Sequence, residues 1–404
     1  MAQIVADQEL LAPVGDLPHE NSVVGRSQNH FGQLGKPTLS GRYGIDQRCV
    51  GYRRRSGTSA MTTRVAISGF GRIGRLVART IIESGRDDIE LVAVNNRGPI
   101  DTAAHLFKYD SVHGRFPFDV KVVGDQLDLG LGLVAFTRHT NPEDCEWGDM
   151  DIDVVMECSG KFTDRPGAAL HLKAGAKRVL VSAPSKGADS TVVFGVNNYM
   201  LKAEHEVVSS ASCTTNCLAP ITKVLRETCG IEQGFMTTIH AYTGDQPTLD
   251  ASHKDLYRAR AAATSLIPTK TGAAAAIGLV IPEMEGVLDG VAMRAPVHNV
   301  SAVDLTFTAS RDITPEEINE AMRVAAKGDL AGILDYTDDK LVSVDFNHDP
   351  HSSVFHTDQT RVMNKRFVRV LSWYDNEWGF SHRMSDLAAL MGQQMGRMAP
   401  SKAA

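Results

Sequence analysis

The chain has 404 residues, of which 43% are hydrophobic and 22% are charged, and its formal net charge is −6. This length exceeds the size at which one hydrophobic core usually stops growing, so the sequence predicts more than one domain. The net charge gives no sign of a nucleic-acid-binding surface, no stretch is apolar enough to span a bilayer, and we expect a cytoplasmic protein. The six cysteines are too sparse for a disulfide framework and do not have the spacing of a metal site.

Residues 1–60 are expected to be a disordered extension. They contain clusters of Gly, Pro, Ser, Gln and Asn without sustained apolar periodicity. No apolar run follows a basic start, so a signal peptide is not predicted, and four acidic residues before position 21 argue against an organellar transit peptide. We therefore expect Met61 to be the functional start.

Residues 64–94 predict a βαβ unit that binds a dinucleotide. An apolar strand over 64–68 leads directly into Gly69-Phe70-Gly71-Arg72-Ile73-Gly74, which is followed by a helical run and a second strand over 89–94. A GxGxxG motif alone is weak, but here it has the strand before it and the helix after it that the motif requires. The glycines allow a tight turn and the close approach of a pyrophosphate, which would lie at the helix N-terminus.

The end of the second strand bears on the choice of dinucleotide. An acidic residue normally binds the adenosine ribose at this point, whereas this chain has Asn96-Arg97. Without the carboxylate a 2′-phosphate is not repelled, and Arg97 can bind it. The alternative is that Asn96 bonds a ribose hydroxyl and Arg97 is solvated, so this position favours NADP only slightly.

The remaining pattern predicts an α/β fold. Strands and helices alternate through 153–158, 178–182 and 192–195, which is typical of a Rossmann-type, doubly wound parallel sheet. Later runs such as 300–307 alternate apolar and polar residues, which predicts a mostly antiparallel α+β catalytic domain. We expect the NAD(P)-binding domain over 61–211 and 376–404, and the catalytic domain over 212–375.

Cys213 is the candidate nucleophile. A strand ends near Val208, small hydroxyl residues follow, and helical spacing begins at Leu218, so the thiol is placed at a helix start. The free N–H groups and dipole there favour a thiolate and predict a lowered thiol pKa. His240, flanked by apolar residues, is the candidate base. The alternatives are a packing cysteine and a core histidine.

Several segments together resemble one enzyme family, the phosphorylating glyceraldehyde-3-phosphate dehydrogenases. The resemblance is collinear from about Met61 to about Met395, and it is carried by SGFGRIGR (68–75), KYDSVHGRF (108–116), SASCTTNC (210–217), HAYTGDQ (240–246), RARAAA (258–263), NVSAVDLTF (299–307) and SWYDNEWGF (372–380). It implies oxidation of glyceraldehyde 3-phosphate to 1,3-bisphosphoglycerate with NAD(P) and inorganic phosphate by a homotetramer.

The resemblance also implies residue roles. Cys213 would carry the thioacyl intermediate and His240 would be the acid–base residue. The anion-site residues would be Ser212, Thr214, Thr243, Thr271, Gly272 and Arg294. The cofactor-binding residues would be Gly69, Gly71, Arg72, Ile73, Asn96, Arg97, Ser182, Ser252 and Asn376.

Departures from the family pattern concern the cofactor and the phosphate site. The segment around Ser252 resembles chloroplast and cyanobacterial members that accept NADP, and Ser252 can donate to a 2′-phosphate. Together with Asn96 it favours NADP or dual use. Ser68 and Phe380 replace the usual Asn and Tyr, and Lys270 and Ala275 alter the segment that contains Thr271.

Two alternatives remain open. Residues 347–352 resemble a segment of erythrose-4-phosphate dehydrogenase, a relative whose thioester is hydrolysed, although Thr243, usually missing there, is retained here. The second alternative is a non-catalytic nucleotide-binding protein on the same fold. It predicts loss of Cys213, His240 or Arg294, and all three are present.

Overall fold

The computed structural model describes residues 62–130 and 132–396. The extension predicted over 1–60 lies outside the described residues. The first half of the chain alternates strands and helices: β1 Thr63–Ser68, α1 Arg72–Glu83, β2 Ile89–Asn95, α2 Ile100–Lys108, β3 Tyr109–Asp110, β4 Gly114–Arg115, β5 Lys121–Val123, β6 Gln126–Asp128, β7 Leu133–Thr137, β8 Val154–Glu157, α3 Arg165–Ala168, α4 Leu170–Lys173, β9 Arg178–Val181, β10 Ser190–Thr191 and β11 Val207–Ser209.

The second half is built from longer strands: α5 Cys213–Cys229, β12 Gln233–Ala241, β13 Ile267–Lys270, α6 Ile277–Val280, β14 Leu288–Ala295, β15 Ser301–Thr308, α7 Pro315–Lys327, β16 Leu334–Thr337, β17 Ser353–His356, β18 Arg361–Met363, β19 Phe367–Tyr374 and α8 Trp378–Gly396. Short 3₁₀ helices cover Pro142–Asp144, Asn198–Met200, Pro282–Met284, Ser343–Phe346 and Thr357–Gln359.

The first sheet has nine strands in the order β10-β11-β9-β8-β1-β2-β7-β6-β5. Pairing is parallel from β10 to β7 and antiparallel only among β7, β6 and β5. The last residue of β1, Ser68, lies opposite Asn95 of β2 and Glu157 of β8. The carboxyl ends of these three central strands therefore meet at one edge, where open α/β sheets bind ligands.

The C-terminal helix belongs to the core of the first sheet. Val65 and Ile67 of β1 pack in one apolar cluster with Met384 and Leu387 of α8. Buried Arg178 of β9 also donates from Nη1 to the carbonyl of Met391 at 2.8 Å. The chain thus returns to the first sheet after completing the second.

The strand predicted over 192–195 is wrong. The described strand β10 covers only Ser190–Thr191, and a turn follows it. Asn197 causes the change, because its Oδ1 accepts from the Val193 N–H at 2.8 Å and its Nδ2 donates to the Thr191 carbonyl at 3.0 Å. A side-chain amide thereby occupies backbone groups that a longer strand would use.

The second sheet has the path β13-β14-β12-β15-β19-β17-β16, with β18 paired to β19. Only the β12–β14 and β16–β17 pairs are parallel. Helices α5 and α7 pack on this sheet through apolar residues that include Leu218 and Ile318. The α/β fold class with a second, mostly antiparallel sheet is confirmed, while the exact domain borders stay a prediction.

Within residues 62–130 and 132–396, no helix has both the length and the apolar character needed to cross a membrane.

Candidate active site

Cys213 is presented by a strained turn between β11 and α5. Ala211 has a φ of +57°, in the left-handed region that a non-glycine residue seldom adopts. Ser212 then caps the helix, because its Oγ accepts from the Thr215 N–H at 3.1 Å. Cys213 is the first residue of α5, as the sequence predicts, and its side chain lies beside the free N–H groups of the helix start.

The alternation of β12 places His240 on the inner face of the second sheet. Met236, Thr238 and His240 are buried, whereas Phe235 and Ile239 are exposed on the opposite face. Since α5 packs on the inner face, His240 meets the start of that helix. The distance from His240 Nε2 to Cys213 Sγ is 3.5 Å. The structure therefore brings the predicted nucleophile and base together.

Strand register brings Arg294 to the other side of the imidazole. β12 and β14 are parallel neighbours, and His240 lies directly opposite Arg294. The carbonyl of Ala241 is 2.6 Å from His240 Nδ1 and accepts from Arg294 Nη1 at 2.8 Å. Arg294 Nη1 also lies 2.9 Å from His240 Nδ1, and a guanidinium only donates whereas a carbonyl only accepts, so the two contacts of Nδ1 favour opposite tautomers. We assign the ring proton to Nδ1 from the shorter contact, the one to the carbonyl. Nε2 is then unprotonated where it faces the thiol.

Burial and charge set the protonation of this pair. Burial, and after it the charge of Arg294, lower the pKa of His240 to about 3. Burial raises the pKa of the Cys213 thiol, while Arg294 and hydrogen bonds from Thr214 act in the opposite direction. The sequence-based expectation of a lowered thiol pKa is therefore wrong, since burial outweighs the helix start. The resting pair is a neutral thiol beside a neutral imidazole.

Sequence reasoning did not single out Tyr374, which joins this site at the end of β19. Its hydroxyl is 2.8 Å from Thr214 Oγ1 and 2.9 Å from Thr238 Oγ1, and its ring meets the His240 ring edge-on at 6.0 Å. The signal was present, since Tyr374 belongs to the segment 372–380 that carries the resemblance. The Thr214 hydroxyl, expected at an anion site, is buried against Tyr374 instead.

The surroundings of Arg294 favour an anion. Arg294 Nε is buried without a hydrogen-bond partner. The pKa of Arg294 is lowered, mainly by burial and to a smaller extent by the nearby charge of Arg258. An unpaired buried donor beside a second cation is a site that an anion would stabilise. Thr243 is half-buried in the loop that follows β12, and Thr271 lies in the turn after β13 with exposed Gly272 beside it.

The predicted cofactor edge has the shape that a pyrophosphate needs. A Cβ on Gly69 would lie 2.5 Å from the Cα of Ser159, so only glycine fits there, whereas one on Gly71 would meet nothing within 4 Å. Gly71 is the N-cap of α1 and offers no side-chain cap, and the first turn, with Arg72 and Ile73, contains no acidic residue. The N–H groups of α1 are thus available to an anion.

The side chain of Arg72 has other partners than the predicted pyrophosphate. It donates from Nη1 to Asp110 Oδ2 at 2.6 Å and from Nη2 to Glu377 Oε2 at 2.6 Å. Although burial lowers it, the pKa of Arg72 is raised overall by these carboxylates. The structure therefore leaves the backbone N–H of Arg72, rather than its guanidinium, for phosphate binding.

The hydroxyl of Ser301 connects Asn376 with the strand that carries His240. Asn376 Oδ1 accepts from Ser301 Oγ at 2.7 Å, and that same Oγ accepts from the Ala241 N–H at 3.0 Å. Because Oδ1 is occupied, the Nδ2 group of Asn376 is the one available to hold an external carbonyl.

The remaining predicted cofactor residues are divided between two places. Asn96 and Arg97 line a cavity beyond the end of β2, together with His139, Thr140 and Lys161. Ser182 follows β9 at the same edge, where its N–H donates to the carbonyl of Glu157 at 3.0 Å. Ser252 is exposed on the loop between β12 and β13, and it does not line this cavity.

Comparison with known proteins gives matches in both halves of the chain. Residues 63–165 match the family model of the glyceraldehyde 3-phosphate dehydrogenase NAD binding domain, and residues 212–376 match that of the C-terminal domain. The chain is 63% identical over 333 residues to glyceraldehyde-3-phosphate dehydrogenase of Xanthobacter flavus, which covers 82% of this chain and 99% of the relative. With the protein of the same name from Cereibacter sphaeroides the identity is 62% over the same shares.

Proposed function

Because the chain belongs to the glyceraldehyde-3-phosphate dehydrogenase family, we infer that it oxidises glyceraldehyde 3-phosphate to 1,3-bisphosphoglycerate with NAD(P) and inorganic phosphate. The observation that carries this function is the 3.5 Å approach of Cys213 Sγ to Nε2 of His240. The thiol supplies a nucleophile for an aldehyde carbon, and the imidazole accepts its proton. Both groups lie beside Arg294, whose positive charge can bind an anionic substrate.

The residues at the edge of the first sheet fit a nicotinamide dinucleotide. The uncapped start of α1 and the close approach of Gly69 to Ser159 would hold the pyrophosphate. Asn376 would hold the carboxamide through Nδ2. When bound, the cofactor supplies the nicotinamide ring that accepts the hydride.

The protein side chains account for the proton transfers. As the bond between Cys213 Sγ and the aldehyde carbon forms, His240 Nε2 takes the thiol proton and passes it to the aldehyde oxygen. Nε2 then takes the hydroxyl proton as the hydride leaves the carbon, which yields a thioester on Cys213. A phosphate oxygen attacks the thioester carbon, the C–S bond breaks, and the acyl phosphate leaves.

Two phosphate groups must be held near the same carbon. We propose Arg294 and Thr243 for the substrate phosphate, and Ser212, Thr271 and Gly272 for inorganic phosphate. The unpaired Nε of Arg294 and the neighbouring charge of Arg258 support an anion at this place. The hydroxyl of Thr214 is bonded to Tyr374, so we propose that Thr214 contributes to anion binding through its backbone N–H in the first turn of α5.

For the cofactor we propose that NADP is used at least as well as NAD. Among the described residues that line the cavity at the end of β2, none carries a carboxylate, while Arg97 and Lys161 carry positive charge. A 2′-phosphate meets no repulsion there. Ser252 would add a donor from a neighbouring subunit.

We also propose self-association into a homotetramer. The outer face of the second sheet exposes apolar side chains on adjacent strands, with Phe235 48%, Ile239 41% and Val291 44% exposed. Apolar groups gathered in this way on a sheet face are typical of a protein–protein interface. A second copy of the chain is the partner that such a face would serve.

Steady-state kinetics of the purified protein test this function. We expect reduction of the dinucleotide with glyceraldehyde 3-phosphate to require inorganic phosphate, and kcat/KM with NADP to equal or exceed that with NAD. Oxidation that proceeds equally well without phosphate would instead favour the thioester hydrolysis of erythrose-4-phosphate dehydrogenase, which the comparisons do not favour. A preference for NAD above about tenfold would contradict the cofactor assignment.

A further inference from the structure

The turn that presents Cys213 is bridged by one side-chain amide. Asn216 Nδ2 donates to the Ser210 carbonyl at 2.8 Å and to the Ser212 carbonyl at 2.9 Å. A carbonyl only accepts hydrogen bonds, so the nitrogen of this amide must be the atom that faces both of them. The two bonds span Ala211, which lies between the two carbonyls, and Asn216 is almost completely buried. The amide thus closes the turn from the side of the helix.

Ala211 is the strained residue of that turn. Its φ of +57° lies in the left-handed region, which brings the Cβ atom of an L-residue too close to the following carbonyl oxygen. An alanine keeps this conformation only where its surroundings impose it, whereas glycine adopts positive and negative φ about equally well. Two side chains impose it here. One is Asn216, and the other is Ser209, whose Oγ accepts from the Ala211 N–H at 3.0 Å.

The oxygen of the Asn216 amide shows which contacts this side chain serves. Oδ1 is buried and has no hydrogen-bond partner among the described residues. A buried acceptor without a partner destabilises the folded chain, so the donors explain why an amide stands here. The Ser212 carbonyl lies four residues earlier in the chain, and a serine hydroxyl within a helix can donate to such a carbonyl. Only the bond to Ser210 needs the longer reach of the amide.

The distance between the proposed nucleophile and its base depends on this turn. His240 is fixed separately on β12, where its Nδ1 is 2.6 Å from the carbonyl of Ala241. Cys213 is the first residue of α5 and comes two residues after Ala211, so a change in the φ of Ala211 displaces the thiol relative to the imidazole. Misplacement of a reacting group by about 1 Å can lower a rate about a hundredfold.

We propose that Asn216 is a positioning residue for the nucleophile: by closing the turn across Ala211, its amide holds Cys213 Sγ within reach of His240 Nε2. The proposal rests on the proposed function, in which Cys213 attacks the aldehyde and His240 accepts the thiol proton. Asn216 itself contacts neither substrate nor cofactor in this account. Loss of the bridge therefore slows the attack of the thiol and leaves the cofactor edge of the first sheet unchanged.

Steady-state kinetics of the full-length protein, with saturating cofactor and phosphate, test the proposal. Asn216→Ser keeps a donor for the Ser212 carbonyl but loses the bridge, and we expect its kcat/KM for glyceraldehyde 3-phosphate to fall roughly tenfold or more. The Kd of the cofactor should change less than about twofold, since its site is separate. Thr228→Val is the matched control, because it removes a bond within α5, from Thr228 Oγ1 to the Val224 carbonyl at 2.7 Å, and should keep wild-type kinetics. Wild-type kcat/KM in Asn216→Ser would overturn the proposal.

A second substitution tests whether the amide acts through Ala211. Glycine tolerates the positive φ without a bridge, so Ala211→Gly introduced into Asn216→Ser should recover most of the lost kcat/KM, and the two substitutions should be non-additive. Ala211→Gly alone gives the reference rate for this comparison. A double variant as slow as Asn216→Ser contradicts the proposal, since the amide would then act otherwise than through the turn.

Crystal structures of the variants give a readout that needs no turnover. We expect Asn216→Ser to show Ala211 at a negative φ, with Cys213 Sγ beyond hydrogen-bonding reach of His240, and the double variant to keep a positive φ. An Asn216→Ser structure that retains the φ of +57° and the thiol beside the imidazole would overturn the proposal. Absence of phosphate-dependent turnover in the wild type would instead count against the proposed function.

Discussion

The reactivity of Cys213 depends on a charge that lies outside its own helix. Burial raises the pKa of the thiol, and Arg294 on β14 is the largest influence that lowers it. The same guanidinium, after burial, lowers the pKa of His240. One cation therefore favours both the thiolate and the neutral imidazole. The sequence showed the helix start but not the depth of burial, which explains the wrong expectation for the thiol.

Removal of the Arg294 charge should slow alkylation of Cys213. A positive charge stabilises the thiolate, so Arg294→Ala raises the pKa of the thiol and leaves less thiolate at pH 8. We expect the rate with iodoacetamide, a neutral reagent, to fall several-fold in the cofactor-free protein, and its pH profile to move to higher pH. Thiol alkylation followed by mass spectrometry measures this.

Two variants control the experiment. Arg294→Lys retains the charge and should alkylate at a rate close to the wild type, and Cys213→Ser should not be modified at this position. An Arg294→Ala variant with the wild-type pH profile would show that the guanidinium does not stabilise the thiolate.

Among the elements, β12 shows what a sequence pattern can and cannot predict. The period-two alternation of β12 predicts that His240 faces inward. The small residues before a helical pattern predict where α5 starts. The opposition of His240 and Arg294 could not be predicted, because it depends on the register of two strands that are distant in sequence. The segment that contains Tyr374 carries the resemblance, but its contact with Thr214 could not be predicted either, since it depends on the order of the strands.

A charge on the outer face of β12 should disrupt self-association without moving His240. Ile239→Glu places a carboxylate among Phe235 and Val291, and an unpaired charge buried between subunits costs several kcal/mol. We expect sedimentation velocity to show a smaller species than the wild type, which we propose to be a tetramer. Ile239→Val, which keeps the apolar face, should sediment like the wild type. A tetramer in both variants would place the interface elsewhere.

At the scale of the whole molecule, folding buries His240 and His382 in their neutral form. Burial is the main cause that lowers the pKa of His240 to about 3 and that of His382 to about 4. The unfolded chain binds more protons than the folded chain between these values and the ordinary histidine pKa near 6.5. The stability that these two histidines contribute is therefore complete above about pH 6.5 and is lost as the pH falls towards 4.

Acid should destabilise the protein by an amount that His382→Gln reduces. From the shifted pKa values, each of the two histidines costs roughly 2 kcal/mol of unfolding free energy between pH 7.5 and pH 5. Denaturant unfolding at both pH values should show a loss that is smaller by about 2 kcal/mol in His382→Gln. The exposed His105→Gln should lose as much as the wild type. An equal loss in His382→Gln would remove this histidine from the acid response.

The hydroxyl of Ser301 is a hydrogen-bond partner shared by the segment of the proposed base and by the proposed cofactor-binding residue Asn376. It accepts from the N–H of Ala241, the residue after the base, and donates to Asn376, the proposed holder of the carboxamide. A shift of β15 would therefore affect both His240, the proposed proton acceptor, and Asn376. If Asn376 holds the carboxamide, the same hydroxyl would help to set both the face of the ring that receives the hydride and the position of the base.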